Sequence, residues 1–193
     1  MMIKFNREKA IVYNTIQMYR WDRLDYMNNI LSDHSDIIFG FKLVRGAYME
    51  KEREIANILK IKSPICKDKE STDMNFNLAI DLLFNNLDRI SFVCGSHNED
   101  SILKIMKMMT KKNINKNDDK IWFGQLYGMS DNISFNLGIK GYNVFKILPF
   151  GPVRNLIPYL IRRAEENTSV KGQTGRELQL ILNERKRRKL EKI

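Results

Sequence analysis

Ile90-Ser91-Phe92-Val93-Cys94-Gly95-Ser96-His97-Asn98 runs largely apolar for five residues and then turns polar at a glycine. A run this short, bounded by a turn signal, reads as a buried strand. Ser101 to Thr110, rich in Met and Ile, reads as a helix whose Met106, Met108 and Met109 fill core space. Lys120 to Leu126 is the next strand, ending at Tyr127-Gly128. Toward the N-terminus, Met74 to Leu87 is amphipathic, with Leu78, Ile80, Leu82, Leu83 and Leu87 largely on one side. Ser63-Pro64 separates it from Glu50 to Ile61, a charged helix or helical loop. Before that come the strand Phe41 to Ala47, a helix over Trp21 to Leu31, and a strand over Ile11 to Met18. Toward the C-terminus follow a helix from Asp131 to Leu137, a strand from Tyr142 to Leu148, and helices over Val153 to Asn167 and Thr174 to Lys189. Pro158 is expected in or near the first turn of its helix. Strands alternating with helices define an α/β chain with a parallel sheet, either open or closed into a barrel.

In such folds ligands gather at the C-terminal ends of the strands. Those ends are Gln17; Arg45-Gly46-Ala47-Tyr48; Ser96-His97-Asn98; Gln125-Leu126-Tyr127-Gly128; and Pro149-Phe150-Gly151. All five carry polar or glycine residues, as a site floor requires. None matches a Rossmann glycine fingerprint or a P-loop. His97 reads either as a structural hydrogen-bonding residue or as a catalyst, and His34 reads as a surface residue. The paired Arg162-Arg163 reads two ways as well. Either both guanidiniums reach solvent, with Arg162 paired to Glu166 one turn on, or they form a planar clamp for a carboxylate or phosphate.

The chain's 193 residues suffice for one domain with a core, and 43% of them are hydrophobic. Its net charge of +10 favours anionic partners. Residues 184–193 hold six basic and two acidic side chains. That tail reads as a solvated helix end or as a contact for an anionic bilayer. No aromatics interleave with it, so no nucleic acid is expected. Cys66 and Cys94 give neither a disulfide framework nor zinc spacing, which points to a reducing compartment. No apolar run approaches the ~18 residues of a membrane span.

Together the strand ends resemble the FAD-dependent proline dehydrogenase family, which includes hydroxyproline dehydrogenases. The resemblance rests on Lys42-Leu43-Val44-Arg45-Gly46-Ala47-Tyr48, Ser96-His97-Asn98-Glu99-Asp100 and Phe123-Gly124-Gln125-Leu126-Tyr127-Gly128-Met129. Gly151-Pro152-Val153 and Pro158 to Asn167 extend it, and Lys4-Phe5-Asn6 and Asn14-Thr15-Ile16-Gln17 fit the animal-type branch. It implies a (β/α)8 TIM-type barrel that oxidises L-proline to pyrroline-5-carboxylate by hydride transfer to FAD. Quinone takes the electrons, and the compartment implied is the mitochondrion. By position, Arg162 and Arg163 clamp the substrate carboxylate, and Leu126 packs on its ring. Glu166 steadies the arginine near the flavin. Lys42 lies near the reactive flavin nitrogen, where a positive charge has a catalytic effect. Gln17, Val44, Arg45, Gly46, Ala47 and Gln125 contact the cofactor's ring and tail, and Ser96, His97 and Asn98 its phosphate and ribose.

Two departures from the pattern bear on function. Proline-specific members carry Tyr fifteen residues before the first clamp arginine, and hydroxyproline-oxidising members a small residue; this chain has Ile147. The chain also begins just before what resembles the fourth barrel strand, so five of eight βα units are expected, over residues 1–170. Residues 171–193 form a basic helix or tail. The family's substrate-contacting Lys and Asp on earlier strands have no counterpart here. The alternatives to proline oxidation are therefore hydroxyproline oxidation and a partial barrel without catalysis.

Overall fold

Strand β2 (Phe39–Val44) shows how the sheet is built: Phe39, Phe41 and Leu43 are fully buried, whereas Lys42 and Val44 are half-buried. The alternation assigns the first set to the helix-covered face and the second to the opposite, inner face. The computed structural model describes residues 1–169 and 173–190, with the side chains of 1–163 and 178–190. Beside β2 stand β1 (Asn14–Gln17), β3 (Ile90–Gly95), β4 (Ile121–Leu126) and β5 (Val144–Ile147). Each strand pairs in parallel with the next in sequence, in the order β1-β2-β3-β4-β5. A doubly wound sheet reverses its order at a switch point. This one never does, so right-handed crossovers place the connecting helices on one face, as in a barrel wall.

The connections carry α2 (Arg23–Asp33), α3 (Met49–Ile58), α4 (Lys69–Asn85), α5 (Glu99–Lys111) and α6 (Asp131–Ile139), after a short α1 (Met2–Phe5). The core lies between helices and sheet. Phe76, Ala79, Ile80 and Leu83 of α4 and Ile102, Ile105 and Met109 of α5 meet Phe41, Phe92, Cys94 and Phe123. Each large side chain buried here contributes about 1.5–3 kcal/mol. Phe39 stacks on Phe41 at 5.7 Å, and Phe84 meets Phe92 edge-on at 5.7 Å. Asp68 caps α4 and Asn98 caps α5, each accepting a bond from the backbone N–H three residues on.

The helical phase of α4 differs from the expected one. Leu78 is 45% exposed, and the buried face is Thr72, Asn75, Phe76, Ala79, Ile80, Leu83 and Phe84. Two phenylalanines at spacing eight, with Ala79 and Ile80 between, outweigh the leucines in selecting the face. His34 is half-buried rather than fully on the surface, because it ends α2 beside Arg89, which donates to its carbonyl.

Residues Leu148–Ile193 form a second compact unit, separate from Met1–Ile147. It holds α7 (Val153–Ser169) and α8 (Gln173–Leu190). Pro158 is not in the first turn, since α7 begins five residues before it. Its absent N–H removes one helical bond in the second turn. The boundary expected between 170 and 171 lies outside the described residues. In α8, Glu184 accepts from Arg187 at 2.8 Å and from Arg188 at 2.9 Å.

Candidate functional site

On the inner face the register sets side chains in rows. One row runs Thr15–Lys42–Val93–Trp122, and the next runs Gln17–Val44–Gly95–Gly124–Phe145. Leu126 and Ile147 are paired one step further toward the strand ends. The two adjacent glycines leave room that side chains of the neighbouring strands occupy. A β-carbon at Gly95 would stand 3.0 Å from Val44 Cγ1 and 3.3 Å from Lys42 Cε, so both side chains lie across that glycine. At Gly124 the ring of Phe145 occupies the space, with its Cζ 2.9 Å from where a β-carbon would be.

Lys42 is the charged residue of this floor. Burial pushes its ammonium pKa down, and it has no carboxylate partner among the described residues. The Gln17 side-chain amide likewise has no partner among them. A desolvated ammonium and an unengaged amide beside a glycine floor suit a flat ligand that bears or acquires negative charge.

Arg45, next in sequence to Val44, turns to the helix side. Its Nε donates to Asp73 Oδ1 at 2.6 Å, Nη1 to Ser96 Oγ at 3.0 Å and Nη2 to Ser101 Oγ at 3.0 Å. Its guanidinium also lies over the Phe76 ring at 4.5 Å. Gly46 follows with φ +117, a conformation that favours glycine, and Ala47 is half-buried beside it. Beneath Gly46 lies Tyr19, whose hydroxyl donates to Glu52 at 3.2 Å. Burial first, and then the Glu52 charge, push the Tyr19 phenol up to about 12.

The β3–α5 loop carries Ser96, His97 and Asn98. Ser96 Oγ accepts from Arg45 and also from the Asn98 backbone N–H at 3.1 Å. His97 Nδ1 lies 2.8 Å from Ser130 Oγ, hydrogen bonded to the residue that starts α6. Gln125 is 1% exposed and points to the helix side. Its Nε2 donates to the Ser96 carbonyl at 3.2 Å and its Oε1 accepts from Ser134 Oγ at 3.0 Å. The side chains of Arg45 and Gln125 are thus spent on holding this loop. Leu126 is buried at the end of β4, opposite half-buried Ile147.

In the second unit, Arg162 and Arg163 sit on α7, both half-buried, with the Arg163 guanidinium over the Tyr159 ring at 5.1 Å. The side chain of Glu166 lies outside the described residues, and with it the expected pairing to Arg162. Sequence reasoning missed Asp73, Ser101, Ser130 and Ser134: Ser130 bonds the loop at His97, and the others act through Arg45 and Gln125. Asp73 resembles an ordinary i, i+4 partner of Lys69, to which it is bonded at 2.5 Å. Only folding brings Arg45 to it. No group of His, Cys, Asp and Glu able to hold a metal ion occurs among the described residues.

The arrangement is a five-stranded parallel barrel-type wall with a basic, glycine-floored surface near its strand ends. The family profile for proline dehydrogenase matches residues 1–176. Proline dehydrogenase 1, mitochondrial, from Dictyostelium discoideum is 40% identical over 96% of this chain and 34% of its own length. Hydroxyproline dehydrogenase from Xenopus laevis is 39% identical over 97% of this chain and 42% of its own. The crystal structure of proline utilization A from Bdellovibrio bacteriovorus, inactivated by N-propargylglycine, superposes with a TM-score of 0.76. It is 28% identical over 82% of this chain and 17% of that one. The chain belongs to the proline dehydrogenase family, and spans about a third to two fifths of the length of the curated relatives it matches.

Proposed function

We propose that this chain carries part of the cofactor and substrate site of an FAD-dependent proline dehydrogenase. The reaction is oxidation of L-proline to pyrroline-5-carboxylate, in the catabolism of proline to glutamate. The observation that carries this reading is the Gly95–Gly124 floor, flanked by the desolvated Lys42 ammonium and the free amide of Gln17. The buried positive charge and the free amide there suit a planar ring system whose charge becomes more negative on reduction. The chemistry supplied by FAD is acceptance of a hydride from the proline ring, with the electrons passing to a quinone.

The residues of this chain do the rest. Lys42 places positive charge where negative charge develops. Gln17 would donate a hydrogen bond to the ring, and the backbone of Val44, Arg45, Gly46 and Ala47 would hold the cofactor. Ser96, His97 and Asn98 would hold phosphate and ribose at the start of α5. The side chains of Arg45 and Gln125 position that loop. Arg162 and Arg163 would grip the substrate carboxylate, and fixing one end of a small substrate orients the reacting carbon. Leu126 and Ile147 offer its ring an apolar surface. The names of the Dictyostelium and human relatives support a mitochondrial setting. There the basic residues of α8, within 171–193, would contact an anionic inner-membrane surface near the quinone.

Proline is favoured over hydroxyproline because Leu126 and Ile147 present only hydrocarbon, leaving a ring hydroxyl without a partner. The test uses protein expressed from its complete reading frame. Anaerobic L-proline should bleach the flavin absorbance, with kcat/KM higher for proline than for hydroxyproline. An absorbance unmoved by both substrates would sink the enzyme reading. A preference for hydroxyproline would overturn the choice of substrate.

A further inference from the structure

Outside the inner face, a connected polar cluster surrounds Arg45, at the junction of β2, α4, β3 and α5. Asp73, on α4, takes the Nε of Arg45 at 2.6 Å through one carboxylate oxygen and Lys69 at 2.5 Å through the other. Both members of the Arg45–Asp73 pair are about three-quarters shielded from solvent, with side-chain exposures of 24% and 28%. Shielding of this order makes a charge-assisted bond directional rather than loosely ionic. The bond at Nε orients the plane of the guanidinium, and its two terminal nitrogens reach Ser96 Oγ and Ser101 Oγ, each at 3.0 Å. These serines bracket the β3–α5 loop. Ser96 in turn accepts from the Asn98 N–H, and Asn98 accepts from the Ser101 N–H at 2.9 Å. Phe76, one turn after Asp73 on α4, supports the guanidinium face.

We propose that Asp73 is a positioning residue for the cofactor: by orienting Arg45, it sets the conformation of Ser96-His97-Asn98 without touching the ligand. The assignment rests on the reading of that loop as the phosphate- and ribose-binding segment. It makes two separable claims, one about the loop itself and one about FAD. Removing the negative charge leaves Arg45 shielded and free to turn, so the loop loosens at Ser96 and Ser101 together. The proline clamp is on other residues and is spared.

Asp73→Asn, Asp73→Glu and the parent are compared in the protein from the complete reading frame. Backbone amide exchange over 96–101 is measured first, without added FAD. Asp73→Asn should speed exchange at Asn98 and Ser101 at least fivefold, with the central strands unchanged, and Asp73→Glu should restore part of the protection. The FAD dissociation constant of Asp73→Asn should rise at least fivefold. Its KM for proline at saturating FAD should stay within twofold of the parent. Unchanged exchange over 96–101 overturns the proposal, as does a KM shift equal to the loss of FAD affinity. Should Asp73→Asn not fold, Ser101→Ala removes one arm of the same junction and must loosen the loop in the same direction. Faster loop exchange in a protein whose parent binds no FAD would sink the functional reading and leave the junction's control of the loop standing.

Discussion

The ring of Tyr19 lies directly beneath Gly46, so that a β-carbon on that glycine would stand 2.0 Å from Tyr19 Cδ1. Tyr19 cannot give way. It is 1% exposed, its N–H donates to the Arg45 carbonyl at 2.7 Å, and its carbonyl accepts from Cys66 at 2.7 Å. Gly46→Ala therefore meets a clash and an unfavourable positive φ at once, at a cost of about 2–5 kcal/mol. Thermal unfolding should show a large fall in Tm, and in a Tyr19→Ala background, measured against Tyr19→Ala alone, Gly46→Ala should cost only the part due to the positive φ. A Gly46→Ala protein as stable as the parent would show that the seat is not rigid.

Lys42 carries a burial penalty with no carboxylate partner among the described residues. Burial holds its folded pKa below the unfolded value of about 10.4. Between those two pKa values the unfolded chain binds more protons, so stability rises with pH there. Below the folded pKa the burial penalty is present in full. Lys42→Met should therefore stabilise the protein at pH 7, by about 1 kcal/mol or 2–4 °C in Tm. The advantage should shrink as pH rises through that window. Proline oxidation should fall about 10²- to 10³-fold from the lost positive charge. Parallel Tm and kcat measurements check both signs, and a destabilised Lys42→Met contradicts the account.

Asp22 behaves in the opposite sense. It accepts from Arg23 at 2.7 and 2.8 Å and from Arg20 at 3.1 and 2.8 Å. The Arg23 bonds first, against some burial, and then those from Arg20 hold its carboxyl well below the usual carboxylate range. A depressed folded pKa contributes stability that is complete above the unfolded value of about 3.9 and is lost as pH falls through the folded one. Asp22→Asn should cost about 1 kcal/mol at pH 7, the site being partly open to solvent. The gap should close in acid, below about pH 3. Urea titrations at several pH values read this directly.

Element order was legible because glycines and polar residues punctuate short apolar runs: Gly46 after β2, Gly95 at the end of β3 and Gly128 after β4. The strand-end list located Gln17, Ser96, His97, Asn98 and Leu126 for the same reason. Side-chain direction near the ends of strands was less accessible. Lys42 and Arg45 are both basic and three residues apart, yet one faces the inner surface and the other the helices. Strand alternation decides this only once the buried set is known. Gln125 looked available as a ligand for the cofactor, but its two amide atoms are used by the Ser96 carbonyl, 29 residues away, and by Ser134 of the following helix. Four-residue α1 escaped notice because no periodicity fits in one turn. Asn6 after it is fully buried and accepts from the N–H groups of Ile11 and Val12, a loop staple that only the fold makes visible.

Ile147 and Leu126 are register partners at the ends of β5 and β4, so a change at one is felt by whatever ligand rests on the other. Tyrosine at 147 is larger than isoleucine and brings a hydroxyl. It would fill space beside Leu126 that a ring substituent needs, while leaving the unsubstituted ring its apolar contact. Ile147→Tyr should raise the ratio of kcat/KM for proline over that for 4-hydroxyproline by about tenfold, within the range that one added group confers in an apolar pocket. The loss should fall mainly on hydroxyproline, since the carboxylate contacts are unaltered. Measuring both substrates on parent and variant decides it. If the ratio stays flat, Ile147 does not face the substrate ring, and the discrimination must come from residues elsewhere in the protein.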